Sequence, residues 1–167
     1  LVLSPTQDAT AGASPAVGFT PSITEAEAAI AGIRTGGTFE AWRDLVAEMR
    51  DYPDVLFVLF ASLAAPLLKV VGGPNFIVDL CGPTSRGKTT ALRLAAAVWG
   101  MPDERLPESF LFTWDATPVW VERTASIMND LPLILDDSKR ARREEDVSRT
   151  LYAAANGRGR GRGTPGG

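Results

Sequence analysis

The sequence contains no histidine and a single cysteine, Cys81, among its 167 residues. Without histidine there is no Ser/His or Cys/His pair for nucleophilic catalysis and no cluster for a zinc site, and one cysteine forms no disulfide within the chain. This usage predicts a reducing, cytoplasmic setting. Neither sign of charge dominates, since 17 basic and 20 acidic side chains give a formal net charge of −3. The amino end lacks the basic start and apolar stretch of a signal peptide. It begins with Leu1 rather than Met and the chain stops in a glycine run, which reads as a fragment holding one domain at most. The longest uncharged apolar run, residues 55–68, falls short of the roughly 20 residues that a bilayer core demands and contains Pro66. It predicts a buried helix and no membrane partner.

What is present is unevenly distributed. Residues 1–70 sum to −4, residues 71–138 to −4 and residues 139–167 to +5, so a basic carboxyl-terminal end is hidden in a near-neutral total. Residues 1–22 are mostly Ala, Thr, Ser, Gly and Pro, too poor in apolar surface to offset their ordering entropy. With a short helix over residues 22–33 they form a linker region, residues 1–35. Residues 36–74 are predicted to be helical: Phe39, Trp42, Leu45, Val46 and Met49 recur at helical spacing behind Thr38 as cap, and the apolar run follows. Residues 75–156 alternate strand and helix. Residues 76–81 and 131–135 read as interior strands and residues 110–114 as another. Residues 88–98, closed by Gly100, and 119–128 read as helices, and 144–155 as a last one. This βαβαβ order predicts a mostly parallel sheet between helices, with a ligand site at the carboxyl ends of its strands. Residues 157–167 are a Gly/Arg-rich tail without core-forming side chains.

Gly82, Pro83, Thr84, Ser85, Arg86, Gly87, Lys88 and Thr89 match G-x-x-x-x-G-K-[ST] at every fixed position, between a predicted strand and a predicted helix. The glycines let the backbone wrap phosphate oxygens, and successive N–H groups with the positive helix end form an anion cradle that Thr90 extends. Lys88 is assigned to the β- and γ-phosphates of ATP. The Thr89 hydroxyl is assigned to Mg2+, whose octahedral shell is completed by phosphate oxygens and water. The strand over residues 131–135 ends in Asp136 and Asp137, which supplies the acidic partner that such a loop requires. Asp136 is the metal-side carboxylate and Asp137, with Lys88, the catalytic candidate that orients or deprotonates water. GTP is disfavoured, because no N-K-x-D motif occurs and Lys139 stands where GTPases place a glycine. Paired acids after the strand favour ATP hydrolysis coupled to movement over a small-molecule kinase.

From about Gly36 to Arg162 the chain resembles domain-of-unknown-function family 927 of bacterial and phage proteins. The resemblance rests on residues 37–42 (GTFEAW), residues 60–68 (FASLAAPLL) and the phosphate loop continuing to Gly100. Trp114 and Thr117 are similar to the family's W-x-x-T, Glu122 to its helix acid, and Asn129-Asp130 precedes the acidic strand. Tyr152 with residues 155–159 resembles its Y-x-x-A-N-G-[KR]-G run. The resemblance implies a P-loop ATPase, a three-layer sandwich of the helicase or translocase kind often encoded beside primases in phages and mobile elements. It also implies a further strand, carrying a polar sensor residue, between the phosphate-loop strand and the acidic strand, beyond this chain's end. Two positions depart from the family, which usually has Asp-Glu at 136–137 and a smaller residue than Arg86.

Arg158, Arg160 and Arg162, with Lys139, Arg140, Arg142 and Arg143, are candidates for a nucleic-acid backbone, DNA foremost, or for action on a neighbouring subunit's γ-phosphate in a homo-oligomer or ring. Of Trp42, Trp99, Trp114 and Trp120, three lie in apolar periodic segments, so core packing is expected rather than base-stacking platforms, and Cys81 is expected as a small packed residue under the loop. The competing function is a nucleotide-dependent switch or assembly module that hydrolyses weakly and acts through protein contacts.

Overall fold

The computed structural model describes residues 30–83, 86–141 and 143–155. Among the described residues from 39 onward the elements run α1 Phe39–Glu48, α2 Pro53–Val71, α3 Lys88–Ala96, β1 Leu111–Thr113, α4 Pro118–Met128, β2 Ile134–Asp136 and α5 Glu144–Ala155. Short 3-10 turns, Met49–Asp51 and Ser138–Arg140, follow α1 and β2. Local chemistry sets several of the starts. The side chain of Thr38 accepts the N–H of Ala41 at the head of α1, and that of Thr117 accepts the N–H of Trp120 at the head of α4. Pro53 and Pro118 occupy first-turn positions, where no N–H is needed.

The strands form a parallel pair in which Leu111, Phe112 and Thr113 face Ile134, Leu135 and Asp136. A parallel pair needs a crossover, which α4 supplies. Helix α3 packs against α2 and against both strands, and α4 packs against α5. The core gathers Val58, Ala95, Ala96, Phe110, Leu111, Met128, Leu131 and Ile134. A polar tie runs through it: Ser62 donates to the carbonyl of Ala95 at 3.1 Å and accepts from the indole of Trp99 at 2.7 Å. The segment before β1 is seated by two glycines. A methyl on Gly100 would lie 1.8 Å from the carbonyl oxygen of Gly32, which itself accepts the N–H of Met101. Close approach, rather than the helix-end conformation the sequence suggests, requires glycine at 100.

Three expectations are corrected. Residues 76–81 are no interior strand. Among the described residues they have no ladder, and Phe76 and Ile77 are exposed while Val78 and Leu80 lean on the core. A cavity of about 690 Å3 is lined by Phe76, Val78 and Leu80 together with residues 131–135, and the segment is not part of the β1–β2 sheet. Helix α2 is not buried throughout: it buries Val58, Leu59 and Ser62 against α3 and exposes Phe57, Phe60, Leu67, Val70 and Val71. Its 19 residues are long and apolar enough to cross a membrane by length and composition, a test that core helices also pass. Cys81 is exposed, not packed. The linker, most of the helix expected over 22–33, and the Gly/Arg tail lie outside the described residues.

Candidate functional site

Two elements distant in sequence bring the site together. The fold places the start of α3 beside the end of β2, and the Thr89 hydroxyl donates to Oδ2 of Asp136 at 2.8 Å. The other oxygen of Asp136 accepts the N–H of Asp137 at 2.8 Å. Thr89 and Asp136 are half-buried, whereas Asp137 is exposed. Lys88 bends over the loop, its Nζ donating to the carbonyls of Gly82 at 2.9 Å and Pro83 at 2.6 Å. Gly87 precedes the helix with φ 78° and Gly82 opens the loop with φ 143°, both in the range that favours glycine. Nothing lies within 4 Å of a methyl built on either, so backbone conformation, not crowding, selects glycine there. Arg86 and Thr90 are exposed beside them, and Thr84 and Ser85 lie outside the described residues.

Asp137 has φ 57°. Few non-glycine residues adopt this left-handed conformation, and Asp is among those that do. Here it caps the 3-10 turn Ser138–Arg140, with the N–H of Arg140 donating to its carbonyl at 3.0 Å. Pairing of the strand ends continues past the ladder, as the N–H of Trp114 donates to the carbonyl of Asp136 at 3.2 Å. Within W-x-x-T, the Thr117 side chain caps α4, whereas residue 114 extends the pairing through its backbone alone. Asn129 ends α4 with φ 42°, and Asp130 accepts from Lys69 at 2.8 Å.

A thiol, two ion pairs and the tryptophans complete the surroundings. Cys81 donates to Oδ2 of Asp79 at 3.0 Å, and that carboxylate pushes its pKa up, so the thiol stays protonated. Arg93 of α3 makes a forked pair with Glu104. Arg105 makes another with Asp103, which holds the Asp103 carboxyl at about 2. Sequence reading did not find these pairs; the D-E-R run at 103–105 was their only local signal. Trp99 packs on the core, Trp114 lines the large cavity, and Trp120 sits edge-on to Phe112 at 5.4 Å. Trp42 stacks on Phe39 at 5.9 Å, and its buried indole N–H has no partner among the described residues. Glu122 is half-buried on α4 and also lines the large cavity. Lys139, Arg140 and Arg143 are exposed. Arg158, Arg160 and Arg162 lie outside the described residues.

Among the described residues no group of three or more Cys, Asp or Glu side chains is placed to hold a metal ion by itself. One carboxylate and one hydroxyl do meet, at Asp136 and Thr89. That donor set suits Mg2+ arriving with a phosphate ligand, since magnesium sites commonly use one or two carboxylates and complete their shell with phosphate oxygens and water. Residues 11–167 match the family model described as Domain of unknown function (DUF927). No curated protein matches the chain. No solved structure matches it.

Proposed function

The chain belongs to the DUF927 family, and we propose that it binds and hydrolyses ATP as a P-loop protein of the helicase or translocase kind acting on nucleic acid. The observation that carries this reading is the 2.8 Å hydrogen bond from Thr89 to Asp136. A loop glycine motif alone predicts a turn before a helix. A loop hydroxyl meeting a strand-end carboxylate 47 residues away in sequence is the pairing a nucleotide–magnesium site uses. In this reading the N–H groups at the head of α3 and the Lys88 ammonium take the phosphate charge. Lys88 exchanges its two carbonyl acceptors for the β- and γ-phosphate oxygens, which are better partners because they are charged. Thr89 and Asp136 would hold Mg2+, which when bound would supply neutralisation of the charge that develops on the phosphate oxygens. Asp137, at the end of β2, orients the attacking water and accepts its proton.

The proposed architecture is a three-layer sandwich whose sheet is larger than the β1–β2 pair. The cavity lined by residues of 75–80, α2, α4 and β2 supports this reading, in which a further strand would pair with the free edge of β2. A weakly hydrolysing nucleotide switch is the second reading, favoured by one observation: Asp137 is short, exposed and already fixed by its neighbours. Titration of labelled ATP with Mg2+ into parent and Lys88→Ala protein tests the site. Loss of a charged hydrogen-bonding partner, worth about 1.5–3 kcal/mol, should weaken binding by about tenfold to a hundredfold. Equal affinities, with unchanged circular dichroism, would remove the phosphate-loop assignment.

A further inference from the structure

Arg140 bridges the two strand ends. Its backbone N–H donates to the carbonyl of Asp137 at 3.0 Å, and its guanidinium reaches Oδ2 of Asp115, in the loop after β1, at 3.5 Å. The side chains are 59% and 49% exposed, which makes this a surface pair of small net worth that another anion can displace. Lys139 and Arg143 are also exposed on the same short segment, and Asp115 is the carboxylate that the Arg140 guanidinium reaches. A phosphodiester backbone offers these cations several charges at once and gains by releasing its own counter-ions.

We propose that Arg140 couples nucleic-acid binding to the acidic turn: a phosphodiester backbone takes Arg140 from Asp115, and the residue's hold on the Asp137 carbonyl carries that change to the Asp137 carboxylate. The role of Asp137 rests on the function proposed above; the competition between Asp115 and phosphate at Arg140 does not. Asp137 is the place where such a pull takes effect, because the Arg140 N–H closes the turn on its carbonyl and its backbone is left-handed, a conformation that few non-glycine residues adopt. Arg140 is thus a positioning residue, and Asp115 restrains it until a polyanion arrives.

The test uses the whole chain and a fluorescently labelled oligodeoxythymidylate, read by anisotropy. Asp115→Asn should tighten binding about twofold to fivefold, the range an exposed pair commands. Arg140→Gln should weaken binding and lower the slope of log affinity against log salt by about one. Asp115→Asn on top of Arg140→Gln should then change nothing. If Asp115→Asn tightens binding equally without Arg140, the effect is one of net charge and the proposal fails, as it does if the parent binds no oligonucleotide. In a second arm, Asp115→Asn should raise oligonucleotide-free ATP turnover toward the stimulated rate; equal turnover in parent and variant, zero included, overturns the link to Asp137. Lys88→Ala should leave the anisotropy results unchanged, so a failure of the ATP reading is distinguishable from a failure of this one.

Discussion

Asp136 and Asp137 are chemically identical neighbours with different surroundings. Asp136 is half-buried, with one oxygen accepting from Thr89 and the other from the Asp137 N–H; the Asp137 carboxylate is exposed at a left-handed backbone position. Asp136→Asn should therefore weaken magnesium-dependent ATP binding itself. Asp137→Glu should leave affinity nearly unchanged and raise turnover, because one methylene changes reach by roughly an ångström and such a misplacement can cost about a hundredfold in rate. Single-turnover phosphate release separates the two, and a fall with Glu at 137 would show that the turn is already adjusted to Asp. Asp103 gives a pH prediction of a different kind. Its carboxyl is held at about 2 against an ordinary 3.8 by the Arg105 guanidinium and backbone N–H. Arg93 likewise lowers the pKa of Glu104. A depressed carboxylate stabilises the fold above its unfolded pKa, and that stabilisation is lost as pH falls toward the folded value. Thermal melts at neutral pH and near pH 2.5 should show a smaller acid-induced drop in Tm for Asp103→Asn than for the parent.

The elements were legible to different degrees, for physical reasons. Helix α5 runs over residues 144–155, as its pattern predicts, and α1 starts at the expected cap, Thr38, because cap chemistry and apolar spacing are local. Strand β1 is confined to Leu111–Thr113 within the predicted residues 110–114. Strand β2, Ile134–Asp136, begins later than the apolar run that foretold it, since pairing, not hydrophobicity, sets its bounds. Gly100 was readable as a helix terminator but acts by admitting the Gly32 carbonyl, a long-range contact with no local signal. Gly100→Ala should accordingly destabilise the chain by about 1–3 kcal/mol, the range for overpacking, as measured by denaturant unfolding. A loss near zero would mean that the crossing relaxes without strain.

Over the whole molecule, α2 leaves several large apolar side chains open, with Phe57 62%, Phe60 59%, Leu67 58% and Val71 73% exposed. These residues follow the 3-4 spacing of a helix-packing seam, and contiguous apolar surface of this kind marks contact sites. The chain should self-associate with rising concentration, as judged by light scattering. Phe57→Glu together with Leu67→Glu should shift it toward monomer while leaving Mg–ATP binding intact. A parent that stays monomeric throughout the range contradicts the expectation.

The sequence by itself determined the start of α1, the glycine-rich loop motif and the acidic pair, because each is written in neighbouring residues whose chemistry is local: a capping hydroxyl, glycines for positive φ, carboxylates after an apolar run. It determined membership of the DUF927 family for the same reason, through blocks of adjacent residues. Only the tertiary structure decided that Thr89 meets Asp136, that Arg140 spans to Asp115, and that residues 76–81 remain off the β1–β2 sheet with a cavity beside them. Those outcomes depend on which backbones approach across long stretches of chain. An apolar run states that a segment seeks burial; it does not name the neighbour that will bury it.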